Sequence, residues 1–270
     1  MTDPTLEKVD AATSYQDVIV PALMEEWAPR VAEAAGIRLG HRVLDVACGT
    51  GVLTREAGRR AGFSGAVTGL DLNPAMLAVA ARLTPTLQWQ QGNAEALPFP
   101  DQSFDAVVSQ FGLMFVPDPV AALGEMMRVL EPGGRLAVAV WASLSETPAY
   151  AAEVRLVERL AGPEAGAALR APFALGDPAR LAELFHAAGI PGASVTLHQG
   201  RGKFPDIRSL VEIDLRGWLA LAGSVALDEE LVAEILRQAE VEVRPFVTDE
   251  GGGVVFASPA LLATAVKPRR

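Results

Sequence analysis

Between Leu39 and Trp141 the chain alternates short apolar runs with amphipathic ones. Val43, Leu44 and Val46 supply the branched apolar residues of a first strand, which breaks at Gly49 and Gly51 and passes into a helical stretch from Leu53 to Gly62. A second apolar run, Ala66 to Leu72, is followed by Asn73-Pro74, a cap and a first-turn proline for a helix that continues to Leu83. Leu87 to Gln91 and Ser103 to Phe111 read as the third and fourth strands. Val120, Leu123, Met127 and Leu130 then recur at helical spacing, Glu131-Pro132-Gly133-Gly134 stops that helix, and Arg135 to Trp141 is a fifth strand.

The flanks differ in texture. Val18 to Ala35 predicts one helix with Leu23, Trp27, Val31 and Ala34 on a face. Beyond Trp141, Ser145 to Ala171 reads as loop and helix. Asp177-Pro178 caps a helix whose Leu181, Leu184 and Phe185 share a face, and Ala193 to His198 forms a sixth strand. Pro205 to Phe246 holds two helical stretches, around Ile207 to Leu221 and Asp228 to Val241, and Gly253 to Pro259 is expected as the last strand. The roughly 40-residue segment before it is far longer than an ordinary connection, which suggests a helical lid.

The chemistry concentrates where strands end. Gly49 and Gly51 permit a sharp turn and leave room for a ligand, and the helix beyond them offers free N–H groups. Asp45 lies at the end of the first strand, suited to a ligand with an amino group and a carboxylate. Asp71, one strand–helix unit later, can accept from both hydroxyls of a ribose. A dinucleotide fingerprint is the nearest rival, but its third glycine is replaced by Thr54, and Asp45 would repel a pyrophosphate.

The run from Arg42 to Gly51 closely resembles the first motif, VLDxGCGTG, of the class I methyltransferases that use S-adenosylmethionine (SAM). Gly92 to Phe99 resembles that family's GDAxxLPF segment, the fourth strand opens with its SFD, and Leu130 to Leu136 matches its LEPGGRL. The resemblance runs from Leu39 to Trp141. It implies an α/β fold: a doubly wound, seven-stranded Rossmann-like sheet with an antiparallel last strand and a helical lid. It implies SAM as cofactor, held by Asp45, Ala47, Gly49, Gly51, Asp71, Leu72 (against the adenine), Asn93, Ala94, Ser109 and Gln110, with Tyr15 covering it. Asn93 stands where the family usually has Asp, and its amide oxygen can still accept from the adenine amino group. Gln110-Phe111-Gly112 replaces the Asn/Asp-Pro-Pro-Tyr/Phe motif of adenine-N6 and glutamine-amide methylation. The resemblance points to the small-molecule branch, similar to the quinone-biosynthesis C-methyltransferases and to natural-product O- and N-methyltransferases. A non-methylating or carboxy-SAM enzyme and a catalytically silent SAM-binding regulator or scaffold stay open.

Composition narrows this reading. The formal net charge of −10 over 270 residues does not suit a nucleic acid backbone. The basic clusters, Arg201 to Lys203 and Lys267 to Arg270, are short. The acceptor is therefore expected to be a small, hydrophobic molecule, and no metal is expected. Cys48 is the sole cysteine, which excludes an intrachain disulfide and suits a reducing cytoplasm; arsenite methylation, which needs several thiols, is excluded with it. No leader is expected in the opening MTDPTLEKVD, and no apolar run reaches the ~18 residues of a membrane span. His41, His186 and His198 fall away from the strand ends that bind ligand, so no catalytic residue is assigned. The division expected is an N-terminal helical cap (1–38), a SAM-binding core (39–142) and a remainder (143–270) carrying the lid at about 205–246. Within the lid, Leu215, Leu219 and Leu221 read as its core. Arg216 and Trp218, with Trp141 at the end of the fifth strand, are the candidate acceptor contacts. The oligomeric state is open.

Overall fold

The structure, a computed structural model, describes residues 4–219 and 227–269. Leu221, expected in the lid core, lies outside the described residues. The strands are β1 (Arg42–Val46), β2 (Ala66–Asp71), β3 (Gln88–Gln91), β4 (Phe104–Gln110), β5 (Leu130–Trp141), β6 (Ser194–His198), β7 (Arg201–Phe204), β8 (Thr248–Glu250), β9 (Gly253–Ala257) and β10 (Ala260–Val266). Seven of them form one sheet in the order β3-β2-β1-β4-β5-β10-β6. β1 pairs in parallel with both β2 and β4, and β10 is antiparallel to both β5 and β6. Strand order reverses between β1 and β4, and at such a switch point the carboxyl ends of open α/β sheets leave a crevice for ligand.

Both faces of this sheet are covered. On β1, Val43 joins one apolar cluster with Val31, Leu53 and Ala57, whereas Leu44 and Val46 join the other with Leu123, Met126, Leu181 and Phe185. That two-sided burial explains why the central strands are continuous apolar runs and not alternating ones. Each buried Val, Leu or Phe contributes about 1.5–3 kcal/mol relative to exposure. Helix starts carry their own caps: Asn73 accepts from Ala75 N–H, and Asp177 from Arg180 N–H.

Two expectations need correcting. Gly253–Ala257 is not the seventh strand of the main sheet. It is β9, the centre of a separate three-stranded sheet with β7 and β8. The seventh place goes to Ala260–Val266, whose residues are buried almost throughout, as a strand between two neighbours requires. Val254 and Phe256 of β9 pack under the lid instead, with Phe256 stacked 6.2 Å from Phe204. The N-terminal region is also not one helix. α1 (Pro4–Ser14) runs into a wide π-helical stretch, Tyr15–Met24, followed by α2 (Ala28–Ala34). Pro21 lies inside that stretch and has no N–H to keep the ordinary ladder, and Glu25 N–H bonds back five residues to Val20 C=O.

Candidate functional site

At the carboxyl end of β1 the chain turns through Ala47 (φ 57°), Gly49 (φ 54°) and Gly51 (φ 85°) before α3 (Val52–Ala61) begins. Asp45 is buried beneath this turn. Thr54, the residue that breaks the dinucleotide fingerprint, donates its hydroxyl to Asp45 Oδ2 at 2.6 Å, while Oδ1 is buried with no donor. Burial is the main cause that pushes the Asp45 carboxyl up to about 7; Asp71 adds to it and Thr54 opposes it.

Asp71 stands across the turn. Its Oδ2 accepts from Gly49 N–H at 2.7 Å and its Oδ1 from Asn73 N–H at 2.8 Å. Burial raises its pKa against these bonds. Leu72, 66% exposed, projects beyond the strand end. Asn93 is exposed and its Oδ1 accepts from Glu95 N–H at 3.0 Å, with Ala94 buried behind it. Ser109 is fully buried at the end of β4 with its hydroxyl unpartnered; Gln110 donates to Met24 C=O at 3.0 Å and leaves its own oxygen unpartnered. Tyr15 comes over from the N-terminal cap. Burial and the neighbouring Asp71 carboxylate hold its hydroxyl protonated, above the ordinary phenol range. Asp45, Asp71 and Tyr15, from three separate elements, therefore meet at the strand ends.

Gly49 and Gly51 play different parts. A Cβ on Gly49 would meet nothing within 4 Å, so this glycine borders open space. A Cβ on Gly51 would lie 2.3 Å from the Trp89 ring, so a side chain there collides with the protein and not with a ligand. Cys48 is buried in the same turn, and burial, then Asp45 and Asp71, push its thiol well above the ordinary value. A thiol so protonated is a packing residue.

Next to the strand ends lies a cavity of about 610 Å³, within the usual range for small-molecule sites. Phe111 and Trp141, at the ends of β4 and β5, stack at 3.6 Å and form one wall. α4 (Pro148–Ala161) brings Tyr150 and Glu153, and a wide turn at Asp214–Trp218 closes the opposite side. Trp218 donates its indole N–H to Ala168 C=O at 2.9 Å and packs 4.9 Å from Phe115. Arg216 is on the rim with its guanidinium bonded to Glu212 and Glu229. None of His41, His186 and His198 lines the cavity. Sequence reasoning missed Glu153. The signal was there, since this acid falls among Tyr150, Val154 and Val157 on the apolar face of its helix, where a charge has no solvent.

Residues 44–138 match a family model described as a methyltransferase domain. The chain carries a class I methyltransferase domain. It is 42% identical over 128 residues to a ubiquinone/menaquinone biosynthesis C-methyltransferase of Pasteurella multocida, covering 45% of this chain and 48% of that protein. The chain thus spans about half the length of the curated relatives it matches. The YcgJ protein of Bacillus subtilis superposes with a TM-score of 0.60 at 21% identity, covering 91% of this chain and 99% of the other. A phosphoethanolamine N-methyltransferase 2 of Haemonchus contortus, solved with phosphomonomethylethanolamine and S-adenosylhomocysteine, gives 0.56 at 18% identity over 90% of this chain and 53% of that one. At these identities the methyltransferase domain shares a fold with both.

S-adenosylmethionine is the cofactor of this domain family, and the residues present fit it. The unpartnered, buried Asp45 Oδ1 lacks the donor that an amino-acid ammonium carries, and Gly49 borders the open space beside it.

Proposed function

We propose that the protein transfers a methyl group from SAM to a small, largely apolar organic molecule held in the cavity beneath the lid. The observation that carries this is the position of the cavity: its wall is Phe111, the residue directly after Ser109-Gln110, and Tyr15, which neighbours Asp71, lines it too. In this reading Asp45 takes the amino group, Asp71 the ribose hydroxyls, Leu72 and Asn93 the adenine, and Tyr15 closes over them. SAM supplies a methyl group on a sulfonium, open to in-line displacement. The protein's part is to hold the acceptor's attacking atom on the cavity side, in line with that methyl, and to exclude water. Trp141 and Trp218 supply flat apolar walls, and Trp218 is fixed by its bond to Ala168.

The test is calorimetric titration with S-adenosylhomocysteine, then incubation with methyl-labelled SAM and a metabolite extract, read by mass spectrometry. Micromolar binding and a labelled small product are expected. No heat with S-adenosylhomocysteine sinks the assignment, and binding without any labelled product would favour a silent binder.

A further inference from the structure

The cavity holds a feature that methyl transfer to an apolar acceptor leaves unused. Glu153 is fully buried in it, and its carboxyl meets Asp214 and, among the described residues, no N–H donor. Its neighbour is a second acid, Asp214, which lines the same cavity from the wide turn of the lid. Burial and this mutual repulsion raise Glu153 well above the ordinary carboxyl range, and burial raises Asp214 as well, so the two share a proton. Among the described residues no ion pair involves either acid. The cations on the cavity's border are Lys8, which is exposed, and Arg216, whose guanidinium is engaged by Glu212 and Glu229. Tyr150 stands beside the two acids, with Trp218 and the Phe111–Trp141 stack lining the same space.

A buried pair of acids with no cation is expensive, and native proteins satisfy such groups or use them. A ligand that only accepts hydrogen bonds, such as a quinone carbonyl, could take the shared proton's bond but would leave the pair's negative charge without a counter-charge. A protonated amine brings donors and a charge, and aromatic faces favour a cation at the same time. We infer that Glu153 and Asp214 form an acceptor-recognition pair that selects molecules carrying a basic amine beside an apolar or aromatic body. The inference rests on the proposed reading only in taking this cavity as the acceptor site. It also lies outside the matched stretch 44–138, so the relatives' likeness does not decide it.

The test uses the full chain saturated with S-adenosylhomocysteine and three matched probes: 2-(1-naphthyl)ethylamine, 2-(1-naphthyl)ethanol and 1-naphthylacetate. The amine should bind at least about tenfold tighter than the alcohol, and the carboxylate weakest, as expected for an ion pair with aromatic walls. Glu153→Gln and Asp214→Asn should each erase most of that preference while S-adenosylhomocysteine binds as in the wild type. Equal binding of amine and alcohol, absence of amine binding, or a preference that survives both substitutions in folded protein overturns the inference. A wild type that fails to bind S-adenosylhomocysteine defeats the cofactor assignment instead, and the amine preference is then measured without it.

Discussion

Asp45 offers a quantitative test of the cofactor site. Its carboxyl is displaced from 3.8 to about 7, chiefly because it is buried, with one oxygen on Thr54 and the other without a donor. The folded pKa is raised above the unfolded one. The protonated form therefore stabilises the free protein, fully below about pH 4, and that contribution is lost as pH rises through about 7. The displacement corresponds to about 4 kcal/mol in order of magnitude for a group this buried. An ammonium from the ligand reverses the preference, because it needs the ionised carboxylate. Between pH 6 and pH 7.5 the ionised fraction of a group titrating near 7 rises roughly eightfold, so affinity for S-adenosylhomocysteine should rise by about the same factor, or about 1.2 kcal/mol. Asp45→Asn keeps the shape and an acceptor for Thr54 but cannot ionise. Its affinity should be flat over this window and no higher than that of the wild type at pH 6. Its unfolding midpoint at pH 7.5 should equal or exceed that of the wild type. Isothermal titration at the two pH values, with thermal unfolding alongside, measures all of this. A wild-type affinity that does not change, or the same rise in Asp45→Asn, would refute the pairing of Asp45 with the cofactor's amino group.

Other substitutions separate binding from folding. Asp71→Ala should weaken S-adenosylhomocysteine by about 1–3 kcal/mol and also lower the melting temperature, because Gly49 and Asn73 N–H lose their acceptor; unchanged affinity in folded protein removes Asp71 from the site. Gly49→Ala should fold with a modest penalty for its positive φ and bind cofactor poorly, whereas Gly51→Val should fold poorly because of Trp89; circular dichroism beside titration checks both, and the reverse order contradicts this geometry. Trp218→Ala should raise the acceptor's KM with little change for SAM, and Arg216→Ala should do little, since its charges meet on the surface; steady-state kinetics with an identified acceptor decides, and equal effects on both substrates would make Trp218 a purely structural residue. Excising Pro205 to Phe246 is a poor test of acceptor choice, because losing buried Leu210, Val211, Ile235 and Leu236 would leave α4 uncovered.

What the sequence by itself determined is local. The strand–turn–helix at Arg42–Ala61, the Asn73 and Asp177 caps and the first five strands are set by neighbours a few residues apart: branched apolar runs, glycines at turns, short polar residues at helix starts. Those signals suffice to bring Asp45, Asp71 and Gln110 to the strand ends, because a parallel sheet with a switch point places every such end on one edge. Long-range competition is a different matter. Gly253–Ala257 and Ala260–Val266 are both apolar runs, and only packing decides that the second, buried on both faces, enters the main sheet while the first forms the small sheet with β7 and β8. Tyr15 reaches Asp71 only because the N-terminal cap folds back through its wide turn. Glu153 and Asp214 are far apart in sequence, and the apolar helix face around Glu153 hints at its burial but not at its partner. Tertiary structure alone buries the two against one another, and dielectric and distance, which no local pattern encodes, make them a pair.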